Sequence, residues 1–143
     1  NCTVRGGRRR FDFLIVEPTR GLAALEVKGG MVHASRGRFR QVVHGAGTRP
    51  GQRKTVMPFQ QARKALDELF RLTGIASGAC PAHIAAVFPD MSAKAFPWGP
   101  SPHLLYAEDL APARLAARLD RALPPIGANP ALAALARSLA DAA

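Results

Sequence analysis

At 143 residues the chain fits one domain, long enough to bury a core without disulfide or metal staples. Its two cysteines, Cys2 and Cys80, form neither a metal-ligand spacing nor a secreted disulfide framework, and no apolar run reaches the length of a membrane span, so a soluble protein of the reducing cytoplasm is expected. The net charge of +10, carried mostly by Arg, argues for a polyanionic partner, nucleic acid before acidic lipid, because no amphipathic basic helix of the membrane-surface kind stands out.

In chain order, residues 2 to 5 and 10 to 17 read as strands around a Gly6-Gly7 turn, and 22 to 28 as a third strand. Residues 31 to 35 and 38 to 44, split by Ser35-Arg36-Gly37, read as a hairpin, and Gly45 to Val56 as a loop. Apolar residues at Phe59, Ala62, Ala65, Leu66, Leu69 and Phe70 have the spacing of one helical face; Pro58 suits the first turn and Gly74 the stop. A buried strand is expected over His83 to Phe88, an irregular loop over Pro89 to Pro102, and a short strand over Leu104 to Tyr106. Helices close the chain at about Glu108 to Leu123 and Pro130 to Ala142; the last is Ala-rich with little to anchor it, and reads as a linker helix. The expected division is a domain over 1–126 followed by this helix over 127–143. The opening Asn rather than Met suggests a piece of something longer.

The stretch "RFDFLIVEPTRGLAALEVKGG", residues 10 to 30, carries the chemistry. Both of its strands are apolar on both faces, so Asp12, Glu26 and Lys28 must be satisfied or functional there. Glu26 and Lys28 share a face because side chains alternate along a strand. A turn of Pro18-Thr19-Arg20 pairs Glu17 with Gly21, 16 with 22, 14 with 24 and 12 with 26; a four-residue loop would send Asp12 to the other face. In the first register two carboxylates oppose each other, and a hard divalent cation, Mg²⁺ or Mn²⁺, relieves their repulsion. Lys28 then points at the same centre, placed to orient or deprotonate a water or to neutralise charge on a phosphate. A buried structural ion pair is the plain alternative.

These residues resemble the PD-(D/E)xK nuclease superfamily, and more closely its nuclease-related domain, NERD. "FDFLIVEPTRGLAALEVKGG" is similar to that domain's strand-turn-strand signature, "MVHASRGRF" to its next hairpin, "MPFQQARKAL" to its helix start and "AAVFPD" to a later strand, together covering about residues 8 to 90. The resemblance implies an α/β fold of restriction-endonuclease type, a central mixed sheet flanked by helices, here without the N-terminal helix that often brings another acid. It implies Asp12 and Glu26 as metal ligands with the Val27 carbonyl, Lys28 as the catalytic lysine and Gln61 as the supporting helix glutamine. Met57 departs from the usual Asn, so a side-chain helix cap is lost.

The implied activity is Mg²⁺- or Mn²⁺-dependent hydrolysis of DNA phosphodiesters by a metal-activated water, in DNA processing or repair, with no small-molecule cofactor and no membrane. Arg8, Arg10, Arg36, Arg38, Arg40, Arg53 and Lys54 are the expected contacts to DNA phosphates. Two rivals stay open: a catalytically inactive DNA-docking module of the same fold serving a fused or associated helicase, and a small basic RNA-binding protein. His33 could approach the site from the following strand but reads better as a satisfied surface or core histidine, and His44, His83 and His103 show no ligand spacing; Trp98 could stack on a base, reads better as pinning the proline-rich loop, and is given no functional role.

Overall fold

The computed structural model describes residues 2–3, 10–36, 38–43, 49, 51–96 and 101–141. The Gly6-Gly7 turn, Arg8, His44 and Trp98 lie outside the described residues.

The main sheet has β3 (Phe13–Glu17), β4 (Gly21–Val27), β8 (Ala82–Phe88) and β9 (Leu104–Tyr106) side by side in that order. β3 runs antiparallel to β4, while β4, β8 and β9 are parallel, so the sheet is mixed. β1 (Cys2–Thr3) and β2 (Arg10–Phe11) form a separate short ribbon, so the strand expected over 10 to 17 is interrupted at Asp12. A second sheet is built from β5 (Val32–Ser35), β6 (Arg38–Val42) and β7 (Arg53–Val56).

β7 corrects the expectation of a loop over 45 to 56. Only Val56 of β7 is buried, against Phe39 of β6, while Arg53, Lys54 and Thr55 are exposed, so the strand has almost no hydrophobic alternation to announce it. It exists because β6 offers a free edge to pair with, and the ladder runs on to a Val43 N–H donating to the Gln52 carbonyl at 2.8 Å.

α1 (Pro58–Thr73) begins on Pro58 and ends at Gly74 in the left-handed conformation, φ +70°, as the sequence predicts. Met57 occupies its N-cap without a side-chain hydrogen bond. The helix expected over 108 to 123 is instead a 3₁₀ turn, Ala107–Asp109, followed by α2 (Pro112–Ala122). Pro112 is the reason: it holds the preceding Ala111 in extended backbone (ψ 133°) and restarts the helix behind it. α3 spans Pro130–Ala140 and is capped by Asn129, whose Oδ1 accepts from the N–H groups of Ala131 and Leu132.

The helices cover the main sheet on both sides. Alternation sends Leu22, Ala24 and Ile84 to one face, where they meet Ala62, Ala65, Leu66 and Leu69 of α1 with Leu132 and Leu135 of α3. Ala23, Leu25, Ala85 and Val87 take the other face, against Leu115, Leu119 and Leu123. The second sheet presses Val32, Phe39 and Val56 onto Phe88, Leu104 and Tyr106, an aromatic cluster in which Phe39 stacks on Phe88 at 5.3 Å. Gly21 is required where β4 starts: its φ is +139°, and a Cβ there would stand 2.3 Å from the Pro81 carbonyl oxygen.

α3 is anchored, contrary to the expectation of a loosely held linker helix. Leu132 is fully buried and Leu135 nearly so. The segment before it is tied to the β3–β4 turn by Ile126 N–H donating to Thr19 (2.8 Å) and Asn129 N–H donating to Pro18 (3.1 Å). Composition hid this, because an Ala-rich helix needs only a narrow stripe of leucines, here Leu132, Leu135 and Leu139, to dock. Leu132→Ala is expected to cost about 2–5 kcal/mol in urea unfolding; a cost near zero would show that α3 is not part of the core.

Candidate functional site

β4 positions the three charged groups. Its pairing with β3 has Glu17 opposite Gly21, Val16 opposite Leu22 and Leu14 opposite Ala24, which is the register expected from a three-residue turn. The ladder stops at Phe13 and Leu25, one pair short of Asp12 and Glu26. Asp12 sits in the bend between β2 and β3.

Hydrogen bonds alternate along β4. Leu22 and Lys28 donate to the β8 side, to the carbonyls of Pro81 (2.9 Å) and Val87 (2.8 Å). Val27 therefore faces the β3 side, where the bend has left it no strand backbone to bond. Asp12 fills that place: its Oδ2 accepts from the Val27 N–H at 2.7 Å. The Asp12 carboxylate thus lies against the Val27 backbone, and the direct carboxylate-to-carboxylate opposition expected from the register is replaced by this contact. The Val27 carbonyl leaves the strand on the same side as its N–H, towards Asp12.

Glu26 and Lys28 project together to the α1 face of the sheet, and the Lys28 Nζ donates to Glu26 Oε1 at 2.5 Å. Their side chains are only 9% and 13% exposed, so the charges are largely removed from water. Apolar residues of similar volume at such a place are often as stable or more so, which makes this pair a weak stabiliser and points to another reason for its presence.

The next residues are held just as closely. Gln41 of β6 donates its side-chain Nε2–H to the Gly29 carbonyl at 2.7 Å, and the Gly30 N–H donates to Asp90 Oδ2 at 2.5 Å. Each of the residues 27 to 30 therefore has a backbone group fixed by a different partner: Asp12, Val87, Gln41 and Asp90. Sequence reasoning missed Gln41 and Asp90. Gln41 shares its face of β6 with buried Phe39, and a polar residue on an inward-facing position is the signal that could have found it. Asp90 sits just past the carboxyl end of β8, parallel and adjacent to β4; the carboxyl ends of parallel strands are where such sheets carry their sites.

Gln61 is not brought to this cluster by any described contact. It is an exposed residue of the first turns of α1, with its N–H on the Met57 carbonyl. Among the described residues no three His, Cys, Asp or Glu side chains gather in a way that could hold a metal ion. Asp12 and Glu26 carry carboxylate oxygens on either side of the Val27 backbone, and these with the Val27 carbonyl are hard oxygens of the kind Mg²⁺ or Mn²⁺ prefers.

Of the expected phosphate contacts, Arg36, Arg38, Arg40, Arg53 and Lys54 are all exposed on the second sheet and its β5–β6 turn. None of them makes an ion pair with a described residue. Arg10 lies in β2, and Arg8 is outside the described residues. A separate polar feature is the stacked pair of His83 and His103, ring centroids 4.9 Å apart, with a His83 ring nitrogen on the Pro102 carbonyl at 3.1 Å. Burial, then the neighbouring His103, pushes the His83 pKa below its usual 6.5. No helix among the described residues is long and apolar enough to cross a membrane. No family model, curated protein or solved structure matches the chain.

Removing either member of the Glu26–Lys28 pair strands a buried charge or its partner, so Lys28→Met alone should cost about 3 kcal/mol in urea unfolding, whereas Glu26→Gln with Lys28→Met should recover much of it. A double variant as unstable as the single one would mean that the pair is not what holds the two side chains. His83 is depressed in the folded state, so the unfolded chain binds the extra proton; its contribution is full above about pH 6.5 and is lost as pH falls through the lower, folded value. His83→Gln should therefore flatten the fall in unfolding free energy between about pH 7 and pH 5, and an unchanged slope would remove His83 as its source.

Proposed function

We propose that the chain is a metal-dependent nuclease domain of restriction-endonuclease-like fold, acting on DNA phosphodiesters. The observation that carries the reading is the conjunction at the end of β4: Asp12 on the Val27 N–H beside a nearly buried Glu26–Lys28 pair. It is a set of hard oxygens and one cation gathered at the end of a strand beside an arginine-rich sheet.

Asp12, Glu26 and the Val27 carbonyl would hold a Mg²⁺ or Mn²⁺ ion, which when bound supplies Lewis-acid stabilisation of a phosphate. The remaining roles fall to the chain itself. Lys28 carries its charge on a flexible stem, and exchange of its Glu26 partner for a phosphate oxygen would neutralise negative charge as it develops. Glu26, relieved of Lys28, then has both oxygens free for ligation or for accepting a proton. The four fixed backbone groups at 27 to 30 keep the Lys28 attachment point still during this exchange, and positional precision of that kind is what a preorganised site needs. Gln61, exposed and without a described contact to the cluster, has at most an indirect part in this scheme.

A second reading, a DNA-docking module without cleavage, is favoured by one observation: Lys28 and Glu26 already satisfy each other, and Asp12 already serves the backbone. A Mg²⁺ and Mn²⁺ titration with plasmid cleavage scored in parallel separates the two. The nuclease reading expects Glu26→Gln to lose metal binding and cleavage together, and Lys28→Ala to lower cleavage by about a hundredfold or more with DNA affinity kept. Cleavage that survives Lys28→Ala would end the role given to that residue. Salt-sensitive DNA binding with no cleavage under either ion would leave the docking reading.

A further inference from the structure

The register of the second sheet divides its basic residues between two faces. Phe39 opposite Val56 fixes the inward face, so Gln41 and Lys54, paired with each other two residues further on, look inward as well. Arg40 opposite Thr55 and His33, Arg38 opposite Ser35, and Arg53 opposite Val42 take the outward face. Lys54 is thus placed with Gln41, whose side chain reaches Gly29 beside Lys28, whereas Arg38, Arg40 and Arg53 form a separate comb. Arg38 and Arg40 follow each other at about 6.8 Å along one strand, and Arg53 stands one strand over.

Two properties of the outward face identify what fits it. It is cationic without internal compensation: residues 27 to 66 contain no Asp or Glu, and the three arginines make no ion pair with a described residue. It also carries no Phe, Tyr or Trp. The one Phe, Tyr or Trp of the three strands, Phe39, points inward onto Phe88, and the exposed large aromatic among the described residues is Phe13, on the other sheet. Single-strand binding relies on exposed rings that stack on bases, and the one ring this face offers is the half-buried imidazole of His33. What remains is a set of planar guanidinium forks suited to phosphates alone, and a duplex presents phosphates at twice the axial density of one strand.

We infer that the outward face of the β5–β6–β7 sheet, through Arg38, Arg40 and Arg53, docks the backbone of double-stranded DNA without reading its sequence, and that Lys54 belongs to the reaction side. The inference rests on the DNA reading above, and it extends that reading to the form of the substrate.

Binding is measured in EDTA across a range of salt concentrations, so that a chain which never cleaves still reports. The ligands are a random-sequence DNA duplex, its isolated strand, an RNA duplex of the same sequence and phosphatidylserine vesicles. The duplex DNA is expected to bind several-fold more tightly than the single strand. Arg38→Ala with Arg40→Ala should lower the steepness of log K against log salt by about 1.8, at about 0.9 for each phosphate no longer neutralised. Arg63→Ala with Lys64→Ala removes the same charge from exposed positions of α1 and should leave that slope nearly unchanged. Equal flattening by both pairs would overturn the assignment, since net charge alone would then explain binding. So would single strands bound as tightly as the duplex, a preference for the RNA duplex, or vesicle binding without duplex binding. Cleavage on adding Mn²⁺ reports separately on the nuclease reading.

Discussion

A carboxylate and an ammonium removed from water inside a sheet must find each other or a ligand, and the Glu26–Lys28 pair is the constraint on which the organisation around β4 depends. The strand that leads to it is covered by helices on both faces, and the two side chains are largely removed from water. The surroundings answer this with rigidity. Asp12 stands in for a missing backbone acceptor, β8 holds Lys28 from the opposite edge, and Gln41 and Asp90 fix the two glycines that follow. A pair that adds little stability is thus held in a frame that allows it little freedom.

Much of this was legible in residues alone. Pro18-Thr19-Arg20-Gly21 dictated the hairpin register, since Gly21 needs a positive φ and leaves no room for a Cβ beside Pro81. The strict apolar spacing in α1 and the apolar run Ile84 to Phe88 in β8 set their bounds to within a residue or so, because each buries a whole face. The failures have a common cause in weak burial. β7 contributes one buried residue and so leaves no alternation in the sequence, while α3 docks through Leu132, Leu135 and Leu139, a narrow stripe that an alanine background makes easy to overlook.

The site divides in the same way. Glu26 and Lys28 stand out because charged residues interrupt an apolar strand, and their shared face follows from alternation. The actual use of Asp12 could not be read, because it depends on the chain leaving the strand one residue before the expected pair. Gln41 and Asp90 act across 12 and 60 positions of sequence, and only the juxtaposition of β6 and β8 with the end of β4 gives them meaning. The arginines were visible as charge, yet their separation into an outward comb and an inward Lys54 needed the strand that the sequence concealed.

The hydrogen bonds from Ile126 and Asn129 to the Pro18-Thr19 turn give the β3–β4 hairpin a second support far from the charged end. β3 is five residues long, about 17 Å, with the segment leading into α3 bonded at one end and Asp12 just beyond the other. The hairpin that delivers Asp12 and the segment that delivers α3 are thus stitched together backbone to backbone although they lie far apart in sequence.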